Sequence, residues 1–136
     1  MSTADCIFCK ILAGELPAYA VGESERAFAF ADINPATRGH SLVIPRVHAA
    51  DIHDISSEDL TACILLAKDV AARTIERLGA DGVNILHSAG AAAWQVVFHF
   101  HIHVIPRYAG DPLRLPWTPL PGVPEELAAA AARLRG

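Results

Sequence analysis

The chain has 136 residues, with 11 Lys or Arg against 15 Asp or Glu, and carries a net charge of −4. This length predicts a single domain over residues 1–136, with a core large enough to fold without disulfide bonds. The acidic balance, without a run of basic residues, argues against polymeric DNA or RNA as a partner. The first ten residues do not resemble a signal peptide, and polar side chains interrupt the uncharged stretch 82–106, so we expect a cytoplasmic protein outside the membrane.

In chain order, the first predicted element is a short helix over residues 6–13, for which Asp5 is a candidate cap. Alternating apolar residues over 19–23 and 26–31 predict a hairpin. The apolar run over 41–45 predicts another short strand.

The strongest helical signal spans residues 57–78, where Ser56 and Asp59 resemble a capping box. Apolar side chains recur there at steps of three or four and predict one buried helix face. That face consists of Leu60, Ile64, Ala67, Val70, Ala71, Thr74, Ile75 and Leu78.

The second half predicts strands over 83–87 and 94–105, separated by a loop of small residues at 88–93. We expect Pro106 to end the longer strand. A Pro-rich stretch and a final helix over 125–134 follow. Together these elements predict an α+β domain with an antiparallel sheet and one main helix.

Three histidines alternate with apolar residues in the predicted strand 94–105. Because strand side chains alternate between faces, His99, His101 and His103 would share one face, together with Gln95 and Val97. The opposite, core-facing set is Phe98, Phe100, Ile102 and Val104. An imidazole binds zinc or acts as a nucleophile near neutral pH, so the row predicts a metal site or a catalytic site. Backbone N–H groups of the loop 88–93 would be close enough to hold an anion.

The chain has three cysteines. Cys6 and Cys9 form a Cys-x-x-Cys pair, for which metal ligation and redox exchange are both open. Cys63 lies on the predicted long helix and is interpreted as a packing residue.

Residues 99–105 match the pattern His-φ-His-φ-His-φ-φ, with φ apolar, that is the hallmark of histidine triad (HIT) proteins. Three further segments match that family, namely Cys-Ile-Phe-Cys-Lys-Ile at 6–11, Phe-Ala-Asp-Ile-Asn-Pro at 30–35 and Gly-His-Ser-Leu-Val-Ile-Pro-Arg-Val-His at 39–48. Over about residues 5–108 the chain therefore resembles the phosphoramidase-like, zinc-containing branch of the HIT family. The resemblance implies a sheet that continues across a homodimer, and a variable tail over 109–136.

The resemblance also implies an activity, which is hydrolysis at the α-phosphate of nucleoside phosphoramidates or related nucleotide conjugates. An AMP-like purine nucleotide would be attached covalently to His101, with His103 and Gln95 as further catalytic residues. Two alternatives are kept open: cleavage of diadenosine polyphosphates by hydrolysis or phosphorolysis, and nucleotide binding with little turnover. A third alternative is a metal-binding protein in which all three histidines of the row are ligands.

The binding residues implied by the resemblance fall into three groups. Asp32 would accept hydrogen bonds from the ribose, and Ser88 and the backbone of Trp94 would lie near the phosphate. The apolar slot for the base would consist of Phe8, Ile11, Leu16, Phe30 and Ile33. The ligands of a structural zinc ion would be Cys6, Cys9, His48 and His99.

Three positions depart from the family pattern. Relatives usually carry Asn at Ser88, Gly at Trp94, and Ser or Thr at Val96, where a hydroxyl assists the leaving group. His40 matches a position that faces the nucleotide pocket, whereas the sequence assigns no role to His53 or His87.

Overall fold

The computed structural model describes residues 3–136, which form an α+β fold with one five-stranded antiparallel sheet. The strands are β1 (Ala20–Glu23), β2 (Ala27–Ala31), β3 (Ser41–Pro45), β4 (Gly82–Leu86) and β5 (Ile102–Arg107). The helices are α1 (Ile7–Leu12), α2 (Ser57–Leu78) and α3 (Pro124–Arg135), with short 3₁₀ turns at Thr3–Asp5 and Ala91–Ala93. The strand order is β1-β2-β3-β5-β4, which leaves β1 and β4 at the two edges.

The sheet has a different partner on each face. On one face α2 covers a core that includes Val43, Phe100 and Val104. On the other face α1 packs over Leu42 and Ile44, the neighbours of Val43 on the same strand. Because β3 is buried on both faces, its five residues are all apolar or small, and its predicted bounds are confirmed.

The long helix α2 is confirmed over its full predicted length. The Ser56 hydroxyl accepts a hydrogen bond from the Asp59 N–H at 3.1 Å, and Gly79 ends the helix in a left-handed conformation with φ of 71°. The predicted buried face is wrong in part, because Ile64 and Ile75 are 45% and 51% exposed. The residues of α2 that are buried are Asp59, Cys63, Leu66, Ala67, Val70 and Thr74.

The predicted strand over 94–105 is wrong in its first eight residues. Ladder pairing of β3 with β5 covers only Val43 to Ser41, and the chain before Ile102 follows an irregular path. There the Phe100 N–H donates to the Ala49 carbonyl at 2.6 Å, outside either strand.

Pro106 lies inside β5 rather than after it. Its carbonyl accepts a hydrogen bond from the Thr37 hydroxyl, away from β4, which pairs on the other side. Because the N–H and C=O of one strand residue point the same way, the missing donor of Pro106 costs no bond to β4.

The predicted cap of α1 is also wrong. Cys6, not Asp5, is the N-cap, since its sulfur accepts a hydrogen bond from the Cys9 N–H at 3.4 Å.

The hairpin β1–β2, the strand β4 and the final helix α3 are confirmed within one residue at each end. Among the helices of residues 3–136, none combines the length and apolar character that crossing a bilayer requires. The separation of a core from a tail at residue 109 stays a prediction.

Candidate active site and metal cluster

A cavity of about 800 Å³ opens on the α1 face of the sheet, a volume typical of small-molecule sites. Its walls come from α1, the segment 16–19, β2 and the residues that follow it, β3 and the segment 94–103. The predicted site residues that line it are Phe8, Ile11, Leu16, Phe30, Asp32, Ile33, Trp94, His101 and His103. Ser88 and Gln95 are not among the lining residues.

His101 is held in one tautomer by the backbone. Its Nδ1 lies 2.7 Å from the carbonyl oxygen of His99, which can only accept a hydrogen bond, so Nδ1 carries the proton. The lone pair of the neutral ring is therefore on Nε2. Burial lowers the pKa of His101 below the ordinary 6.5, which keeps this lone pair free at neutral pH.

A second histidine, His40, holds the ring of His103 in place. The Ala36 N–H donates to His40 Nδ1 at 2.9 Å, so the proton of the neutral His40 ring is on Nε2. That Nε2–H donates to His103 Nδ1 at 2.9 Å. The remaining nitrogen of His103, Nε2, therefore carries a proton that it can donate to a ligand.

Asp32 lies beside this pair. Its Oδ2 is 3.5 Å from His40 Nε2, and its Oδ1 accepts from the Asn34 N–H at 2.9 Å. Asp32, His40 and His103 are close enough to form a candidate metal cluster. This cluster does not suit a cation, because a metal would need the lone pair of His40 Nε2. That nitrogen carries the ring proton, since Nδ1 accepts the hydrogen bond from Ala36.

Gln95 is buried in a structural network instead of facing the cavity. Its Oε1 accepts from the Gly90 N–H at 2.7 Å, and its Nε2 donates to the carbonyls of Ala50 at 2.7 Å and Val97 at 3.2 Å. The side chain thus joins the loop 88–93 to the turn after β3. Its predicted catalytic role would be one of positioning.

Several N–H groups in and just after the small-residue loop are used within the turn itself. The N–H groups of Ala93 and Gln95 donate to the Gly90 carbonyl, and that of Trp94 donates to the Ala91 carbonyl at 3.0 Å. The Trp94 N–H is thus already used within the turn, and a contact between the Trp94 backbone and a phosphate stays a prediction.

The four predicted zinc ligands converge on one point. Cys6 Sγ lies 3.4 Å from His99 Nδ1, Cys9 Sγ lies 3.4 Å from His48 Nδ1 and 3.6 Å from His99 Nδ1, and the two Nδ1 atoms are 3.2 Å apart. All four donor atoms lie within 4.8 Å of one another.

These spacings can be compared with those of a tetrahedral zinc site. Zn–S bonds of about 2.3 Å and Zn–N bonds of about 2.0–2.1 Å separate S from N by about 3.5 Å and N from N by about 3.3 Å. The protein matches both. His99 Nε2–H donates to the Pro45 carbonyl at 3.0 Å, which turns the Nδ1 lone pair towards the cluster. Burial and the adjacent Cys6 raise the pKa of Cys9 to about 11, so a bound cation is what would make it a thiolate at neutral pH.

Phe8 connects the cluster to the cavity. It lies between the two cysteines in sequence, and its ring meets His99 and His101 edge-on, with centroids 5.8 Å and 5.3 Å apart. The predicted base-slot residue is thus also a packing partner of the candidate nucleophile.

His87 occupies a position that sequence reasoning missed. The Ile52 N–H donates to its Nε2 at 3.1 Å, so its Nδ1 carries the proton and donates to the His101 carbonyl at 3.0 Å. Its ring also lies against Phe100, with centroids 4.5 Å apart. No local pattern signals this role, because both partners are distant in sequence.

Three comparisons relate this arrangement to known proteins. Residues 13–110 match the HIT domain model. The chain is 38% identical over 125 residues to an adenosine 5′-monophosphoramidase of Schizosaccharomyces pombe, with 91% of each chain covered. A crystal structure from Streptococcus mutans is similar with a TM-score of 0.91 at 34% identity, covering 98% of this chain and 85% of the other. A zinc-bound histidine triad family protein of Mycobacterium smegmatis is similar with a TM-score of 0.79 at 40% identity, and 98% of each chain is covered.

The buried state of His103 has a measurable consequence. Burial, with smaller effects from the charges of His101 and His40, lowers its pKa to about 4. The unfolded chain takes up this proton near pH 6.5, whereas the folded chain does so only near pH 4. His103 therefore reduces the free energy of unfolding as the pH falls from 6.5 to 4.

We expect the His103 ring to titrate near pH 4 in an NMR titration. The resonance is identified by its absence in His103→Gln. A midpoint at or above pH 6.5 would contradict the buried, neutral state of this ring.

Proposed function

Since the chain belongs to the HIT domain family, we propose that it is a nucleotide hydrolase that cleaves nucleoside phosphoramidates or similar nucleotide conjugates at the α-phosphate. The observation that carries the proposal is the tautomer of His101, whose Nε2 lone pair is fixed by the His99 carbonyl on a ring that lines the cavity. Relatives in two yeasts are named adenosine 5′-monophosphoramidases, at 38% and 41% identity, which supports this class of substrate.

In the first step, His101 Nε2 donates its electron pair to phosphorus. The P–N bond of the substrate breaks, its electron pair stays on the amine nitrogen, and the amine leaves after taking one proton from the solvent. The product on the enzyme is a nucleotidyl-imidazolium, since Nδ1 keeps its proton. The His99 carbonyl at 2.7 Å stabilises this positive charge.

In the second step, water attacks the same phosphorus. The P–Nε2 bond breaks, its electron pair returns to His101, and the proton lost by water replaces the one taken up earlier. The net reaction is hydrolysis to the nucleoside monophosphate and the free amine. The Nε2–H of His103, fixed by His40, would donate to the phosphoryl oxygens as charge develops on them.

Asp32 and the apolar walls would hold the nucleoside. The Asp32 carboxylate borders the cavity and can accept hydrogen bonds from ribose hydroxyls. Phe30 and Leu42 are buried in the cavity wall, where a flat base can lie against them. An apolar slot of this kind favours a base without selecting strongly among bases.

The charge of the cavity favours the phosphoramidate over the alternative diadenosine polyphosphate. Among the described residues that line the cavity, none is Lys or Arg. A leaving nucleotide with several phosphates would carry multiple negative charges into this apolar space without a cationic partner. A neutral amine carries no such cost.

The Cys/His cluster would hold a structural zinc ion. Two thiolates and two imidazoles complete a tetrahedral shell, which leaves no position for substrate. When bound, zinc supplies a crosslink between the N-terminal segment, the turn after β3 and the segment that carries His101. The ligands Cys6, Cys9, His48 and His99 thus steady the nucleophile without taking part in the reaction.

A homodimer is supported by the sheet edge. β4 is an edge strand, and Ile85 and Leu86 on it are exposed. Ile64, Leu65 and Ile75 on α2 are exposed as well. An unprotected apolar edge pairs readily with another strand, so a second copy of the chain is the expected partner.

Sedimentation at micromolar concentration is expected to give twice the chain mass, and a monomer would contradict the dimer. A cytoplasmic location stays a prediction.

The nucleophile is tested by release of AMP from adenosine 5′-phosphoramidate. His101→Ala is expected to lower kcat/KM by at least about 10³-fold while nucleotide binding persists, because the covalent path is lost. His53→Ala is the matched control, since His53 lies on an exposed turn away from the cavity. Negligible release by the wild type with tight nucleotide binding would favour the binding-module alternative.

The zinc proposal is tested by metal content after purification. We expect about one zinc ion per chain in the wild type and in His101→Ala, and a large loss in Cys9→Ser. Cys63→Ala is the control, because Cys63 lies on the buried face of α2 and outside the cluster. Loss of zinc in His101→Ala with retention in Cys9→Ser would support the reading in which the three histidines of the row bind the metal.

A further inference from the structure

Trp94 has an unusual backbone for its residue type. Its φ and ψ are 74° and 20°, in the left-handed region, and it is the one non-glycine residue among those described with a positive φ. The conformation is imposed by the 3₁₀ turn Ala91–Ala93, which Trp94 ends. This backbone is unfavourable for every residue with a side chain, and glycine would adopt it without strain.

The fold gains little from the indole in return. Trp94 is 62% exposed, and its ring makes none of the aromatic contacts found among residues 3–136. Packing within the chain therefore does not explain why a large aromatic residue occupies a strained position. Strain of this kind that brings no packing is typical of binding sites.

The indole belongs to an apolar rim around the opening of the cavity. Tyr19, Ile33 and Val96 line the same cavity and are 75%, 78% and 83% exposed. We call Tyr19, Ile33, Trp94 and Val96 the mouth residues. None of them carries a charge, and they lie outside the buried wall formed by Phe8, Phe30 and Leu42.

The mouth residues come from three parts of the chain, and two of these parts differ in their position relative to the reaction. Ile33 follows Asp32 directly, on the side proposed for the nucleoside. Trp94 and Val96 precede His99 and His101 on the segment that presents the nucleophile. A group attached to phosphorus opposite the nucleoside would therefore meet Trp94 and Val96. Val96 has no hydroxyl to bind an amine there, which favours an apolar contact.

We propose that Trp94 is a specificity-determining residue that selects nucleoside phosphoramidates whose amine carries an uncharged aromatic or bulky apolar group. The proposal rests on the proposed function and names the leaving group of that reaction. The indole forms a wall for this group at the cavity mouth, and contact between two apolar surfaces there removes both from water.

The test compares two substrates that differ only in the amine. These are adenosine 5′-phosphoramidate and its N-phenethyl derivative. In the wild type the N-phenethyl substrate is expected to have the higher kcat/KM. In Trp94→Gly the ratio of the two kcat/KM values is expected to fall about tenfold, the size of one aromatic contact. Trp94→Leu is expected to keep part of the preference.

Ala91→Gly is the matched control, because it loosens the same turn without removing the indole. It is expected to leave the ratio unchanged. A second readout tests the strain itself: Trp94→Gly is expected to raise the melting temperature, since glycine accepts a positive φ.

Each contrary outcome has a separate meaning. Equal losses on both substrates in Trp94→Gly would place the indole against the nucleotide and overturn the proposal. A wild type that cleaves the unsubstituted substrate without preferring the N-phenethyl one would overturn it while the proposed function stands. Cleavage of neither substrate would overturn the proposed function, and this inference with it.

Discussion

The hydrogen bond from His101 Nδ1 to the His99 carbonyl is the interaction on which the site depends. It fixes the proton on one ring nitrogen and leaves the other as the nucleophile. The acceptor, which is the His99 carbonyl, is held in place because the ring of His99 is buried in the Cys/His cluster and donates a hydrogen bond to the Pro45 carbonyl. The carbonyl of His101 is held in turn by His87. The orientation of one imidazole is therefore set by contacts from three distant parts of the chain.

The fold explains why these parts meet. The buried strand β3 carries Pro45 at its end and pairs with β5, so the turn that contains His48 lies beside His99. The helix α1 is capped by Cys6 and lies on the same face, which brings the cysteines and Phe8 to the histidines. A metal at the cluster would join these segments at one point, so the stability of the N-terminal segment and the geometry of the reaction become coupled.

Much of this arrangement could be predicted where the local sequence decides the structure. The continuous apolar run of β3 and the capped, Gly-terminated α2 follow from composition and spacing. The strand predicted from residue 94 is wrong because hydrogen bonds to the turn after β3 replace the ladder. These are the hydrogen bonds from Gln95 Nε2 to the Ala50 carbonyl and from the Phe100 N–H to the Ala49 carbonyl. Ile64 and Ile75 were predicted as core, although the sheet covers the adjacent face of α2.

The candidate site was predictable to a similar degree. The histidine pattern and the family resemblance predicted the four residues of the cluster and half of the residues that line the cavity. The contact between His40 and His103 joins residues 63 positions apart, and the bonds of His87 depend on backbone groups that carry no sequence signal. For the left-handed backbone of Trp94 the sequence offers one indication, which is the glycine that the family resemblance implies at this position.

If the nucleotide is transferred to His101 Nε2, the adenylylated protein can be trapped. Wild-type protein mixed with adenosine 5′-phosphoramidate is quenched within one turnover, digested under conditions that preserve P–N bonds, and analysed by mass spectrometry. We expect one adenylyl group on the peptide that contains His101, located on that residue by fragmentation. Adenylylation at another residue, or turnover with no labelled peptide, would contradict transfer to His101.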